Sequence, residues 1–210
     1  YKNKKSGVSY VFKRIGETWI QEAKLTPKNH LSQTQFGGAV FIYRDRVIIG
    51  SCKADNNGIR TGAAYIFKRT NTSWDQEAKL SPFDGNEGDW FGFSVSLNDK
   101  YAVIGAEHDD DNGPQSGSAY IFIKNKKKWT FLTKLTSQDG SEYGLFGSSV
   151  SCFENNVIVG AKYEDDEING MDSGAAYLFD ITDLVSTNKI VHEKPFVLLS
   201  PNPATNILTL

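Results

Sequence analysis

Apolar and polar residues alternate along the chain in short runs separated by glycine, asparagine and aspartate, and no stretch combines a helical period with helix caps. The run Phe91-Gly-Phe-Ser-Val-Ser-Leu97 predicts a strand with Phe91, Phe93, Val95 and Leu97 on one face and Gly92, Ser94 and Ser96 on the other. A tight turn at Asn98-Asp99 then leads into Lys-Tyr-Ala-Val-Ile-Gly-Ala, residues 100–106, which is a hairpin signal. A second hairpin follows from "AAYIFKR" and "WDQEAKL", joined through the polar turn at 70–73. Each unit therefore predicts four short strands.

The unit recurs. Tyr10, Tyr65, Tyr120 and Tyr177 sit in one repeated phrase, "SGVSYVF", "TGAAYIF", "SGSAYIF" and "SGAAYLF", at steps of 55, 55 and 57 residues. Trp19, Trp74 and Trp129 keep the 55-residue step, as do Leu25, Leu80 and Leu135 at the end of "EAKL", "EAKL" and "LTKL". So do the pairs Phe36-Gly37, Phe91-Gly92 and Phe146-Gly147, and Gly50, Gly105 and Gly160, which close "RVIIG", "YAVIG" and "NVIVG". A four-stranded unit of this length cannot bury both faces alone, and stacking on like units does so. The expected fold is all-β, with β-propeller blades of four antiparallel strands and a repeat of about 55 residues.

These landmarks resemble the FG-GAP repeat, which builds the seven-bladed propeller of integrin α-subunit heads, and most closely its bacterial variant with tryptophan and "AKL" ahead of each Phe-Gly. The resemblance implies that a blade starts at the Phe-Gly strand and ends at the "AKL" strand. Residues 1–180 then hold the outer hairpin of one blade, two complete blades and most of a third, read as a fragment of a seven-bladed ring. After "GAAYLFD" the tryptophan and "AKL" are missing; 181–195 reads as a linker. "LLSPNPATNILTL", within 196–210, is similar to the opening of the C-terminal sorting domain of type IX secretion in Bacteroidetes-like bacteria, on Pro201, Asn202 and Pro203 and the apolar residues Ile207, Leu208 and Leu210. That resemblance implies a protein that is secreted or attached to the outer cell surface, handled by the type IX machinery.

Composition adds little against this. Apolar residues make up 39%, charged residues 23%, and the net charge is −2, which gives no reason to expect nucleic acid as partner. No apolar run reaches the roughly 20 residues of a membrane-spanning helix. Cys52 and Cys152 fall at different points of the repeat, which argues against a disulfide between them.

The chemistry is concentrated in one loop type. In integrin-type repeats calcium lies between the Phe-Gly strand and the "VIGA" strand. Here that link is only Arg44-Asp45, Asn98-Asp99 or Glu154-Asn155-Asn156, too short for an ion that takes about six to eight oxygens, so that site does not carry over. Acidic residues cluster instead after "VIGA". In "EHDDDNG", Asp109 and Asp111 ahead of Gly113 match part of a calcium loop; the same composition also suits a solvated turn. The residues leave both readings open: no certain cofactor, with weak calcium binding at Asp109 and Asp111 as the alternative. No zinc pair, nucleophile elbow or phosphate loop is present, so no catalytic residue is assigned. The lysines of "KNKKKW" read as a solvated turn, and the tryptophans as packing between blades. The expected function is non-enzymatic: adhesion, or binding of an extracellular protein or glycan, through loops that differ between copies. The alternative is the accessory propeller of a larger secreted enzyme.

Overall fold

The computed structural model describes residues 7–28, 34–56, 60–71, 73–137, 140–165, 170–182, 184 and 198–199. These form one two-stranded and three four-stranded sheets, antiparallel throughout. The first sheet is the hairpin β1 (Ser9–Ile15) and β2 (Thr18–Leu25). Next comes a sheet of β3 (Val40–Tyr43), β4 (Arg46–Ser51), β5 (Ala63–Thr70) and β6 (Ser73–Leu80), paired in chain order. The second four-stranded sheet is β7 (Ser94–Leu97), β8 (Tyr101–Ala106), β9 (Ser118–Asn125) and β10 (Lys128–Leu135). The third comprises β11 (Phe146–Phe153), β12 (Asn156–Ala161), β13 (Ala175–Asp180) and β14 (Leu198–Leu199). The fold is all-β, as expected, with four antiparallel strands in each full sheet; β6 and β10 end at the leucines of "AKL" and "TKL", while β3 and β7 start at Val40 and Ser94, after the Phe-Gly pairs.

Three apolar clusters hold the sheets face to face. The hairpin packs on the first blade through Val11, Leu25, Val47, Ile49 and Tyr65. The first and second blades meet through Ile48, Ile66, Val95, Leu97 and Ile104, and the second and third through Val103, Ile121, Cys152, Val157 and Val159. Equivalent positions show what a neighbour does. Val95 and Leu97 of β7 are 7% and 0% exposed, whereas Val40 and Ile42, one repeat earlier in β3, are 60% and 59% exposed. The hairpin β1–β2 supplies the outer half of a blade and leaves that inner half of the first blade's face bare. Trp19 on β2 is exposed for the same reason, while Trp74 and Trp129 are packed between sheets.

The inner ends of the blades are pressed together at glycine. A Cβ on Gly105 would lie 2.0 Å from the carbonyl oxygen of Gly147 in the next blade, and Gly50 stands the same way to Gly92. Gly92 itself adopts φ +93°, and this corrects one expectation. The left-handed turn breaks the alternation, so Phe91 and Phe93 do not share a face. Phe91 packs edge-on against Tyr120 and Phe122 in the core, while Phe93 lies beside Trp90 with its ring centroid 6.1 Å away. Cys52 and Cys152 are both free and buried.

Leu198 and Leu199, which the sequence reading placed in the C-terminal segment 196–210, pair with Tyr177 and Ala176 of β13. Pro201, Asn202 and Pro203 lie outside the described residues.

Candidate functional site

The loops of one end of the blades carry the acidic residues. They are the links from second to third strand, 52–62, 107–117 and 162–174, and the links between blades, 81–93 and 136–145. The other end carries tight turns, among them the exposed Lys126-Lys127 turn between β9 and β10, and the longer link 181–197.

Asp109 and Asp111 do come together, and what joins them is a lysine. Lys134, near the end of β10, places Nζ 2.9 Å from Oδ2 of Asp109 and 3.0 Å from Oδ2 of Asp84, and also pairs with Asp111. The Tyr120 hydroxyl lies 2.8 Å from Oδ1 of Asp84 and 2.8 Å from Oδ2 of Asp109, and its single proton is shared between these two acceptors. Burial opposes the charge on Lys134, but the hydrogen bonds to Asp111 and Asp109 outweigh it and carry the ammonium up to about 12. Burial and the same carboxylates push the Tyr120 hydroxyl well above its ordinary value, so it stays a donor. Among the described residues no group of three or more His, Cys, Asp or Glu side chains is arranged to hold a metal. These carboxylates surround an ammonium. A sequence signal for it existed: Lys24, Lys79 and Lys134 recur at the repeat period beside the recurrent tyrosine, and in the second unit Lys134 meets three carboxylates.

Nearer the seam between blades lies a second group that sequence reading did not single out. Trp90 and His108 stack with centroids 3.8 Å apart and planes 19° apart. Lys53 of the preceding blade reaches over the Trp90 ring at 5.2 Å. From the following blade, Lys162 lies 5.6 Å from the Phe93 ring, 5.2 Å from that of Tyr163, and 3.3 Å from Oε2 of the buried Glu107. Burial lowers the pKa of His108 and Lys162 lowers it further, so the ring is neutral at neutral pH; burial raises that of Glu107, against the pull of Lys162. Behind the stack, Asp89 accepts a hydrogen bond from the backbone N–H of Asn86 at 2.6 Å, and burial holds its carboxyl up at about 6.

The frame under this strip repeats while its side chains do not. The residue before Phe-Gly is left-handed in every copy, at φ 54° for Gln35, 60° for Trp90 and 57° for Leu145. The two residues after "GA" or "GS" are Cys52-Lys53, Glu107-His108 and Lys162-Tyr163. A recurring backbone thus carries different side chains in each copy: Gln35, Lys53, Trp90, His108, Lys162 and Tyr163 reach solvent, whereas Leu145, Cys52 and Glu107 are buried.

A family model described as FG-GAP repeat matches three stretches of the chain, residues 19–67, 74–122 and 129–179. A comparison with curated proteins returned no match. Each matched stretch starts on the outer strand of one sheet and ends in the third strand of the next.

Proposed function

The chain belongs to the FG-GAP repeat family, and from that premise we propose that it is part of a secreted or surface-attached, non-catalytic propeller of seven blades that binds an extracellular glycan or protein through its loop face. The observation that carries the reading is the contrast between a repeated backbone and unrepeated side chains at Gln35, Trp90 and Leu145 and at Lys53, His108 and Tyr163. Rigid strands that display divergent loops are the arrangement in which binding function concentrates. Family membership supports an extracellular setting, and the Trp90–His108 stack with its flanking lysines supplies the groups that would meet a ligand.

The test is a binding panel of immobilised polysaccharides and extracellular matrix proteins, probed with the protein and with a Trp90→Ala, His108→Ala, Tyr163→Ala variant. Binding that the variant loses, while melting as the parent does, supports the proposal. Binding indifferent to these changes, or none across the panel, sinks it.

Export by type IX secretion belongs to the same proposal and is supported by Pro201, Asn202 and Pro203 followed by alternating apolar residues. Replacing Pro201 and Asn202 by alanine in the full-length protein should leave it retained inside the outer membrane. Unchanged release would remove this part of the reading.

A further inference from the structure

We infer that Leu198–Leu199 is the outer strand of the third blade, equivalent to the "AKL" strand of the others, so that the exported tail is fastened to the propeller by strand addition to β13. Pairing register argues this first. In the first blade Tyr65 faces Lys79 and Ala64 faces Leu80; in the second Tyr120 faces Lys134 and Ala119 faces Leu135. In the third, Tyr177 faces Leu198 and Ala176 faces Leu199. Leu199 therefore stands where Leu80 and Leu135 stand. The sequence repeats the same exit: Leu25-Thr-Pro27 and Leu80-Ser-Pro82 correspond to Leu199-Ser-Pro201. What differs is the approach. The other blades join third and fourth strands by two residues, 16–17, 71–72 or 126–127, whereas 181–197 separates β13 from β14. From the recurrent tyrosine to the closing leucine the distance is 15 residues in three copies and 22 in the last, an insertion of seven.

The physical need is plain. Without β14, the outer edge of β13 presents unpaired N–H and C=O groups beside the apolar face formed by Leu132, Phe179 and Leu184. An extended segment in the repeat's own register satisfies that edge. It follows that Leu198–Leu199 completes the third blade in the register of the other two.

The test uses the full chain with Cys52→Ala and Cys152→Ala, to which Ala176→Cys and Leu199→Cys are added. Residues directly opposite across antiparallel strands lie within reach of a disulfide. Oxidation is expected to crosslink this pair in the native protein and not in urea, and to fail for a control with Leu210→Cys in place of Leu199→Cys. Equal crosslinking of pair and control, or none of either, overturns the inference. As an independent measurement, Leu198→Pro should speed hydrogen exchange at the outward amides of β13; unchanged protection there also overturns it. The Pro201→Ala, Asn202→Ala variant is expected to keep the 176–199 crosslink even where it abolishes export, so the strand and the export reading can fail separately.

Discussion

The two full joints of the molecule use the same positions and opposite chemistry. Between the first and second blades, Glu77 of β6 receives Arg46 Nε and Lys124 Nζ, each at 2.9 Å, and the Trp129 indole N–H at 3.2 Å. The hairpin joint repeats it: Glu22 pairs with Arg69 and accepts from the Trp74 indole at 3.3 Å. Between the second and third blades the glutamate is Leu132, the position of Arg69 and Lys124 is Ile181, and Leu184 packs where no tryptophan follows; Tyr101 stands at the position of Arg46. All the charged members were exchanged together. A joint can be polar or apolar, but a lone glutamate or lysine left in it would be buried without a partner.

The largest effect should come from breaking the polar joint. Glu77→Ala strands Arg46 and Lys124 and is expected to cost roughly 3 kcal/mol in denaturant unfolding. Burial raises the Glu77 carboxyl, but its hydrogen bonds to Arg46, Lys124 and Trp129 overcome this and hold it at about 2, below its ordinary 4.5. Its contribution is therefore complete above pH about 4.5 and is lost as pH falls towards 2. Acid titration of stability should show that loss in the parent and not in the variant. Leu132→Ala, the matching change in the apolar joint, should cost about 2 kcal/mol from the cavity it leaves, by the same amount at pH 4 and pH 7. Equal pH dependence of the two joints would refute the contrast.

A buried carboxylate that forms no ion pair among the described residues sharpens it from the other side. Asp89 is held up at about 6 against an ordinary 3.8, chiefly by burial, so its ionisation opposes folding as pH rises through that window. Asp89→Asn should raise stability at pH 7 by about 1–2 kcal/mol, and the gain should vanish below pH about 4. Trp129→Phe removes the indole hydrogen bond to Glu77 and puts a smaller ring under Lys124, and should cost about 1 kcal/mol. The smallest effect expected is that of calcium. With Lys134 between Asp84, Asp109 and Asp111, melting in calcium and in chelator should coincide. A calcium-dependent rise abolished by Asp109→Ala and Asp111→Ala would instead make the loop a metal site.

What could be read in the sequence followed from periodicity. Tyr65, Tyr120 and Tyr177, the Phe-Gly pairs and the closing leucines recur because these positions pack alike in each sheet even where the joints differ in charge, so the all-β class and the four-stranded sheets were legible in the sequence. Phe93 was misread because one left-handed glycine reverses a face without changing the alternation of letters. The Asp109–Lys134 pair joins residues 25 apart on different elements, and the recurrence of the lysine alone does not name its carboxylate partners; Trp90 meets Lys53 across a seam, and no period announces that proximity. The outer strand at Leu198–Leu199 was hidden by a changed loop length, although Leu-Ser-Pro was in view.

The offset between repeat and sheet, in which residues 74–122 supply the outer strand of one blade and the inner three of the next, has a mechanical consequence. The units are laid like bricks in running bond, with no vertical seam through the wall. A pull along the chain meets no point where one repeat can be lifted away whole, because freeing it strips an outer strand from the sheet behind and opens the inner strands of the sheet ahead. Tension applied between the loops of the first blade and the end of the third would pass from course to course, and would yield first at the shortest bond in the wall, the two residues of β14.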